Sequence, residues 1–273
     1  MLRGRHKTYD KLYIYIFKNF HPALRELEDE DLIGVWEEDG VGVLFFHSPR
    51  DELVNRVIQK YGLELEEKDV VPYSEWMENR FPKPIRVGDL NIAPVWIKGD
   101  WDIVLDPSVV FGEGRHPTTS MVLQMCWEFF KENGLPEFVV DMGCGTGVLS
   151  LFWAKLGSRV LAVDKNPLCV EVTKHNAQLN SLKDKIQVIH EDVKGVLPIK
   201  ADLIVANLFK AILIELFGLP SFWSSPYYIV SGFSPAMEDE LKASLSAFNV
   251  EIVKRKELDG WVSWLIKNKE PLE

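Results

Sequence analysis

A short glycine-rich segment carries the clearest chemical signal in this 273-residue chain. An apolar run over 138–142 leads into Gly-Cys-Gly-Thr-Gly over 143–147, and an apolar, helix-forming run follows over 148–156. A strand that turns through glycines into a helix N-terminus exposes free backbone amides, and the missing side chains let a ligand approach closely. The pattern predicts a nucleotide-like ligand cradled by Gly143 and Gly145. A plain tight turn is the structural alternative.

Acidic residues around the glycines indicate which ligand this is. The glycines fall as Gly-x-Gly-x-Gly, so Val148 stands where a dinucleotide fingerprint has its third glycine. Asp141 lies just before the turn, where its carboxylate would repel a pyrophosphate but can hold an ammonium group. Asp164 closes the next strand and is placed to accept hydrogen bonds from two ribose hydroxyls. Together these features favour S-adenosyl-L-methionine over NAD.

Two further strand ends carry polar residues suited to this cofactor and to an acceptor. Asp192 follows the third strand and is predicted to meet the adenine amino group; Glu191 is the neighbouring candidate, and a solvated loop acid is the alternative. Asn207 ends the fourth strand, where its side-chain carbonyl can orient a neutral amine beside the methyl donor. Capping of the next helix is the structural alternative for Asn207. We predict Asn207 to be the catalytic residue and a further cofactor contact.

Alternating helices and strands are predicted to hold these residues in place. Helical patterns occupy 121–133, 148–156 and 167–179, and strand-like runs occupy 138–141, 160–164, 186–190, 201–206, 227–230 and 250–253. Such alternation implies a parallel sheet with helices on both faces. The sequence therefore predicts an α/β domain of Rossmann-like type.

The N-terminal part of the chain follows a different pattern. Residues 11–17 are rich in aromatic and β-branched residues and indicate a strand, and Asp39-Gly40 between two strand-like runs indicates a hairpin. Ser48 followed by Pro49 is typical of a helix start, with the serine as N-cap. These elements suggest a small α+β domain of ferredoxin-like type. We predict this domain over 1–66, a linker over 67–80 and the α/β domain over 81–273.

Composition and charge limit the classes of function. Lys and Arg total 31 against 41 Asp and Glu, which gives a formal net charge of −10. This balance argues against direct binding of nucleic acid and favours a basic partner. The 3 cysteines lack the spacing of a disulfide framework or a metal site, and no apolar run approaches the roughly 18 residues of a membrane span. We expect a cytoplasmic monomer without a metal.

A longer segment upstream of the glycines is more specific. Residues 105–119 read Leu-Asp-Pro-Ser-Val-Val-Phe-Gly-Glu-Gly-Arg-His-Pro-Thr-Thr. The segment resembles the Leu-Asp-Pro…Phe-Gly-Thr-Gly-x-His-Pro-Thr-Thr signature of the PrmA family, bacterial enzymes that methylate large-subunit ribosomal protein eleven. Glu75-Trp76-Met77, Pro84, Gly88 and the Ala-Pro-Val-Trp of 93–96 are also similar to that family's linker and entry strand.

The resemblance implies a site, a fold and a substrate. It implies that Thr119 contacts the cofactor from a loop that folds over it, and that Gly143 lies under the methionine portion. Asp164 would bind the ribose, and Asn207 would lie between the cofactor and the acceptor amine. The fold would be a class I methyltransferase domain with a seven-stranded sheet, ending in an antiparallel hairpin near 250–267. The small domain would recognise the ribosomal protein, whose lysine side chains and N-terminal amine are the acceptors.

Some residues depart from the family pattern or allow two interpretations. Glu113 and Arg115 replace small residues of the loop, and the family's Asn-Ile-x-Ala is Asn-Leu-Phe-Lys over 207–210. His116 is either a base for the acceptor amine or part of a His-Pro turn that positions the loop. Phe209 either packs at a helix start or contacts methylated nitrogen through cation–π attraction.

Two other functions compete with protein methylation. The chain could be an S-adenosylmethionine-dependent enzyme that acts on RNA or a small amine, or a non-catalytic module that keeps the cofactor pocket. The acidic balance and the lack of a basic aromatic face in 1–66 argue against RNA. Retention of Asn207 and of the whole loop 111–119 argues against a non-catalytic module.

Overall fold

The structure is a computed structural model and describes residues 11–27, 29, 31–38, 40–72, 75 and 83–271. The chain divides between Pro82 and Lys83 into two compact units. Each unit contains a hydrophobic core of its own. The two units are therefore described separately.

The first unit is a four-stranded antiparallel sheet with one α-helix. Its elements are β1 (Lys11–Phe17), a 3-10 turn (Pro22–Glu26), β2 (Leu32–Glu38), β3 (Val41–Phe46), α1 (Asp51–Tyr61) and β4 (Leu65–Pro72). The strands lie in the order β2-β3-β1-β4, and every neighbouring pair is antiparallel. This order, with one crossover through the 3-10 turn and one through α1, is the predicted ferredoxin-like arrangement.

Strand β4 corrects the predicted linker. Residues 67–72, assigned to a linker from the sequence, pair with β1 from Lys11↔Pro72 to Ile16↔Glu67. The strand lies at the edge of the sheet and all its residues but Val71 are exposed, so it has none of the apolar alternation that marks a strand in sequence. Within 73–80, only Glu75 is among the described residues.

The start of α1 also differs from the sequence prediction. Arg50, not Ser48, is the N-cap residue, and its side chain makes no capping hydrogen bond. The Ser48 hydroxyl instead donates to Asp31 Oδ2 at 2.5 Å. The backbone N–H of Arg50 donates to the hydroxyl of the buried Tyr15 at 3.0 Å, so a tertiary contact defines the helix start.

The second unit contains a seven-stranded sheet flanked by helices and a small three-stranded sheet. The small sheet consists of β5 (Ile85–Val87), β6 (Leu90–Pro94) and β7 (Ile103–Leu105). The large sheet consists of β8 (Phe138–Met142), β9 (Arg159–Asp164), β10 (Ile186–His190), β11 (Leu203–Asn207), β12 (Tyr227–Phe233), β13 (Val250–Leu258) and β14 (Trp261–Asn268). The helices are α2 (Pro117–Asn133), α3 (Val148–Leu156), α4 (Pro167–Leu179), α5 (Lys210–Phe217) and α6 (Glu238–Leu245).

The strand order of the large sheet indicates where a ligand would bind. The order is β10-β9-β8-β11-β12-β14-β13, with parallel pairing from β10 to β12 and an antiparallel hairpin of β13 and β14. This confirms the predicted seven-stranded α/β fold and its terminal hairpin. The chain reverses its direction of winding between β8 and β11, and ligands of such sheets bind at the carboxyl ends of the strands at this point.

The described residues contain neither a membrane-spanning helix nor a cluster of metal ligands. No helix in this part of the chain combines the length and the apolar character of a membrane-spanning segment. Over the same residues, no group of three or more His, Cys, Asp and Glu side chains is arranged to hold a metal ion.

Candidate active site

The glycine-rich turn lies at the centre of the sheet, between β8 and α3. Gly143, Gly145 and Gly147 have φ values of +77°, +54° and +81°, in the left-handed region that favours glycine. A Cβ on Gly145 would lie 2.5 Å from the carbonyl oxygen of Phe111, and one on Gly143 would overlap the side chain of Leu208. The backbone of Phe111 and the side chain of Leu208 therefore approach the turn so closely that a side chain at either glycine is excluded.

Asp164 connects the end of β9 to this turn. Its Oδ2 accepts the backbone N–H of Gly145 at 3.0 Å, and its Oδ1 accepts that of Asn166 at 2.9 Å. Burial raises the pKa of this carboxyl, and the two backbone N–H groups partly offset the rise. The Cys169 thiol also donates to this carboxyl, and the carboxylate keeps capacity for a further hydrogen-bond donor.

Asp141 is buried completely beneath the turn. Its Oδ2 accepts the hydroxyl of Ser150 at 2.5 Å, whereas its Oδ1 has no hydrogen-bond partner among the described residues. Burial raises the pKa of this carboxyl to about 7, although the hydrogen bond from Ser150 opposes the rise. A buried carboxylate oxygen without a partner is costly, and a cationic group would compensate it.

The segment from Asp106 to His116 lies against the turn through a set of short polar contacts. The backbone N–H of Thr146 donates to Phe111 O at 3.1 Å, and the Thr146 hydroxyl donates to Gly112 O at 2.5 Å. Asn176 of α4, itself buried, donates to Thr146 O at 2.9 Å and to Asp106 O at 2.8 Å. It also accepts the backbone N–H of Asp106 at 2.9 Å. These contacts fix the segment, hereafter the covering loop, over the glycines.

Two threonines that directly follow the covering loop contact Asn207. Thr118 and Thr119 lie in the first turn of α2 and are almost fully buried. The Asn207 Nδ2 donates to Thr118 Oγ1 at 3.3 Å and to Thr119 Oγ1 at 3.2 Å. Both amide hydrogens are thereby used, and Oδ1 accepts no hydrogen bond from the described residues. Asn207 thus presents a free acceptor at the carboxyl edge of β11.

Phe209 lies two residues beyond Asn207 and differs from an ordinary core residue. It is the N-cap residue of α5, it makes no capping side-chain bond, and 60% of its surface is exposed. Packing at a helix start does not account for an aromatic ring with this exposure. The exposed ring is therefore available to a ligand.

Asp192 lies at the same edge of the sheet but outside the network described above. It follows β10, whose His190 pairs with Asp164. Its Oδ1 accepts the backbone N–H of Lys194 at 2.8 Å, and its own backbone N–H donates to the side chain of Glu191 at 2.9 Å. Asp192 is half-buried and Glu191 is exposed. Both remain predicted contacts of an adenine ring.

Cys144 lies within the turn, and its chemistry is limited by its surroundings. The thiol is buried and accepts the hydroxyl of Thr173 at 3.2 Å. Burial, with the nearby carboxylates of Asp164 and Asp141, raises its pKa well above the usual range. Cys144 is therefore held as a neutral thiol and is not a nucleophile.

Sequence reasoning did not identify four residues that shape this site. Thr118, Thr146, Ser150 and Asn176 all make the contacts given above. The first threonine of Pro-Thr-Thr and the threonine of Gly-Thr-Gly stand inside the quoted motifs, so a signal for them existed. Ser150 and Asn176 lie inside helical runs, where nothing in the sequence indicates their partners.

The chain matches one family model and several curated proteins of that family in sequence. A family model described as "Ribosomal protein L11 methyltransferase (PrmA)" matches residues 30–269. A protein named "Ribosomal protein L11 methyltransferase" from Desulfitobacterium hafniense is 32% identical over 217 residues, which cover 76% of this chain and 66% of the relative. The protein of the same name from Alkaliphilus metalliredigens is 33% identical over 228 residues, which cover 78% of this chain and 71% of the relative.

A solved structure extends the likeness to three dimensions. The structure of a ribosomal protein L11 methylase from Lactobacillus delbrueckii subsp. bulgaricus superposes with a TM-score of 0.60 at 26% identity. The alignment covers 69% of this chain and 100% of that chain. In sequence, the matched part spans about two thirds of the curated relatives' own length.

Proposed function

The chain belongs to the ribosomal protein L11 methyltransferase (PrmA) family, and on that premise we propose that it transfers methyl groups from S-adenosyl-L-methionine to amines of ribosomal protein L11. The proposed acceptors are lysine side chains and the N-terminal amine. One observation carries the proposal: Thr118 and Thr119 bind the amide of Asn207 beside the glycine-rich turn, which leaves its Oδ1 as an acceptor.

The residues around the turn fit S-adenosyl-L-methionine. The Asp141 Oδ1, buried without a partner, suits the ammonium group of the methionine portion. Asp164 is proposed to accept hydrogen bonds from the ribose hydroxyls, and the glycines allow the turn to lie close against Phe111 and Leu208. Asp192 is proposed for the adenine amino group and Thr119 for a contact from the first turn of α2, directly after the covering loop. When bound, the cofactor supplies a methyl group already activated on a sulfonium.

The protein's task is then to present a neutral amine in line with that methyl group. A lysine amine with a pKa near 10.4 loses its proton at a cost of roughly 4 to 5 kcal/mol at pH 7 in bulk water. A desolvated site next to a positive charge lowers this pKa, and water can carry the proton away. Asn207 Oδ1 accepts an N–H of the neutral amine and directs its lone pair.

His116 contributes to the site by position in this proposal, rather than as a base. Its Nδ1 accepts the backbone N–H of Thr118, so this nitrogen is engaged in capping α2. Phe209 is proposed as an aromatic wall for the acceptor, where cation–π attraction favours a methylated nitrogen. Its 60% exposure supports that role over helix packing.

The first unit is proposed to recognise the ribosomal protein, with the boundary between the domains falling after β4. A net charge of −10 is complementary to a basic protein and unfavourable for direct contact with nucleic acid. A cytoplasmic monomer is the proposed working form. Sedimentation of the purified chain tests the monomer directly.

One assay separates the proposed function from its rivals. The purified protein is incubated with S-adenosylmethionine labelled in the methyl group and with L11, ribosomal RNA or small amines as separate acceptors. We expect label on L11 alone, at lysine and N-terminal amines. Label on RNA or on small amines alone would support another methyltransferase, and cofactor binding without any transfer would support a non-catalytic module.

A further inference from the structure

Helix α2 begins at an unusual N-cap residue. The position before Pro117 is occupied by His116, whereas Ser, Thr, Asp and Asn are the residues usually preferred there. The His116 Nδ1 accepts the backbone N–H of Thr118 at 3.4 Å and lies 2.8 Å from the Thr118 Oγ1. One ring nitrogen therefore makes two contacts with the same threonine.

These two contacts determine which atoms carry the hydrogens. A backbone N–H can only donate, so Nδ1 of His116 must present a lone pair. The Thr118 hydroxyl consequently donates to Nδ1, and its remaining lone pairs face Asn207. If the amide of Asn207 were rotated by half a turn, its Oδ1 would face Thr118 Oγ1, whose only hydrogen is already donated to His116 Nδ1. Two acceptors would then face each other without a hydrogen between them. The contact with Thr118 therefore allows only the orientation in which Nδ2 of Asn207 donates.

We propose that His116 and Thr118 are positioning residues that fix the side-chain amide of Asn207 so that its Oδ1 faces the acceptor amine. This inference rests on the proposed function, because the acceptor amine is part of it. Both residues act through Asn207: Thr118 touches the Asn207 amide directly, and His116 acts on the amide through Thr118. Thr119 adds a second acceptor for Nδ2 but does not by itself set the orientation, since a hydroxyl can donate or accept.

Two aromatic contacts keep the His116 ring in this geometry. The ring of Phe111 lies 4.9 Å from it at an angle of 67°, and the ring of Trp261 lies 5.3 Å away at 65°. Both are edge-on arrangements of the favourable kind. They restrict rotation of the imidazole, so Nδ1 stays directed at Thr118.

The test uses matched pairs of variants in the full chain. His116→Gly removes the acceptor but keeps a residue that is tolerated at an N-cap, and His116→Asn restores an acceptor at nearly the same place. Thr118→Val removes the hydroxyl with little change of volume, and Thr118→Ser restores it. Three quantities are measured: kcat for methyl transfer to L11, affinity for S-adenosylhomocysteine by calorimetry, and hydrogen exchange of the Asn207 side-chain amide by NMR. Circular dichroism verifies that α2 and the fold persist.

We expect His116→Gly and Thr118→Val to lower kcat by about 10- to 100-fold, because a misplaced orienting group costs this much. Exchange of the Asn207 amide should accelerate in both variants, whereas affinity for S-adenosylhomocysteine should change much less than kcat. His116→Asn and Thr118→Ser should recover most of kcat and slow the exchange again.

Three results would overturn the inference. Unchanged amide exchange in His116→Gly would show that the imidazole does not hold the amide. Accelerated exchange with unchanged kcat would show that the orientation does not matter to the reaction. A parallel loss of cofactor affinity and kcat would indicate a structural role. If the wild-type chain methylated no amine, the proposed function would fail, while amide exchange would still test the contact network.

Discussion

The two compact units rely on different kinds of polar contact. In the second unit, the contacts that shape the site are buried: Asn176 holds the covering loop to the turn through three hydrogen bonds. In the first unit, an ion pair such as Arg25 with Glu37 has both side chains at least one third exposed. Water replaces the lost partner of an exposed pair but cannot do so for a buried group. Single buried side chains therefore decide the geometry of the site, whereas an exposed pair such as Arg25 with Glu37 contributes little to the stability of the first unit.

The largest expected effect is on catalysis at Asn207. Asn207→Ala removes the only group proposed to orient the amine, and we expect kcat to fall by about 100-fold or more, with a much smaller loss of cofactor affinity. Single-turnover methyl transfer and calorimetry with S-adenosylhomocysteine measure the two quantities. Equal losses in both would remove the acceptor role from Asn207.

The next largest effect is expected on stability when the buried Asn176 is replaced. Asn176→Ala leaves three backbone groups without partners, and we expect the free energy of unfolding to fall by about 3 kcal/mol. Urea denaturation measures it. Asn180 is a matched control, since it is the C-cap residue of the same helix and makes the same two-way bond with the backbone of Val104, at 2.8 and 2.7 Å. Asn180→Ala should lower stability but spare cofactor affinity, whereas Asn176→Ala should lower both.

A smaller effect is expected from the titration of Asp141. Its raised pKa of about 7 means that the free protein holds a proton there below that pH, whereas a bound ammonium group requires the ionised form. Affinity for S-adenosylhomocysteine should therefore rise about tenfold per pH unit up to about pH 7 and then level off. Calorimetry between pH 5.5 and 7.5, about the range in which the carboxyl titrates, gives the slope. Asp141→Asn should bind weakly with no such slope, and a slope that persisted would assign the titration to another group.

In the free protein, the raised pKa of Asp141 makes stability fall with rising pH, whereas cofactor affinity rises. The folded chain keeps the proton on Asp141 up to about pH 7, whereas the unfolded chain loses it near pH 4. The contribution of this group to the free energy of unfolding therefore falls as the pH rises through that window.

The smallest effect is expected when an exposed ion pair of the first unit is broken. Glu37→Gln breaks the ion pair with Arg25, and the free energy of unfolding should change by no more than about 0.5 kcal/mol. Raising the salt concentration should reduce even that difference. A loss as large as that of Asn176→Ala would show that exposed pairs also carry the structure of the first unit.

The central strands and helices could be predicted because their signals are local. The helices Val148–Leu156 and Pro167–Leu179 and the strand Ile186–His190 agree with prediction at both ends. Each shows the apolar spacing of its element and is bounded by glycine, proline or polar residues, so the local sequence marks the boundaries. The glycine-rich turn could be predicted for the same reason, because its glycines lie within one short segment of the chain.

The remaining features depend on partners that lie far away in sequence. Strand β4 is exposed on both faces and is defined only by its pairing with β1. Ser48 has the local pattern of an N-cap, but its hydroxyl finds Asp31 instead. Asn176 looks like any polar residue of a helix, and its role follows from a backbone 70 residues away. The residue types of the site were predictable, whereas the network that orients them was not.

The covering loop also has a consequence for the order in which the molecule folds. Asn176 joins residues 70 and 30 positions away, so its bonds require β8, α3, β9 and α4 to be in place first. Closing such long loops is entropically unfavourable until other contacts have formed. The loop should therefore dock after the rate-limiting step, and weakening Asn176 should accelerate unfolding while leaving the refolding rate almost unchanged.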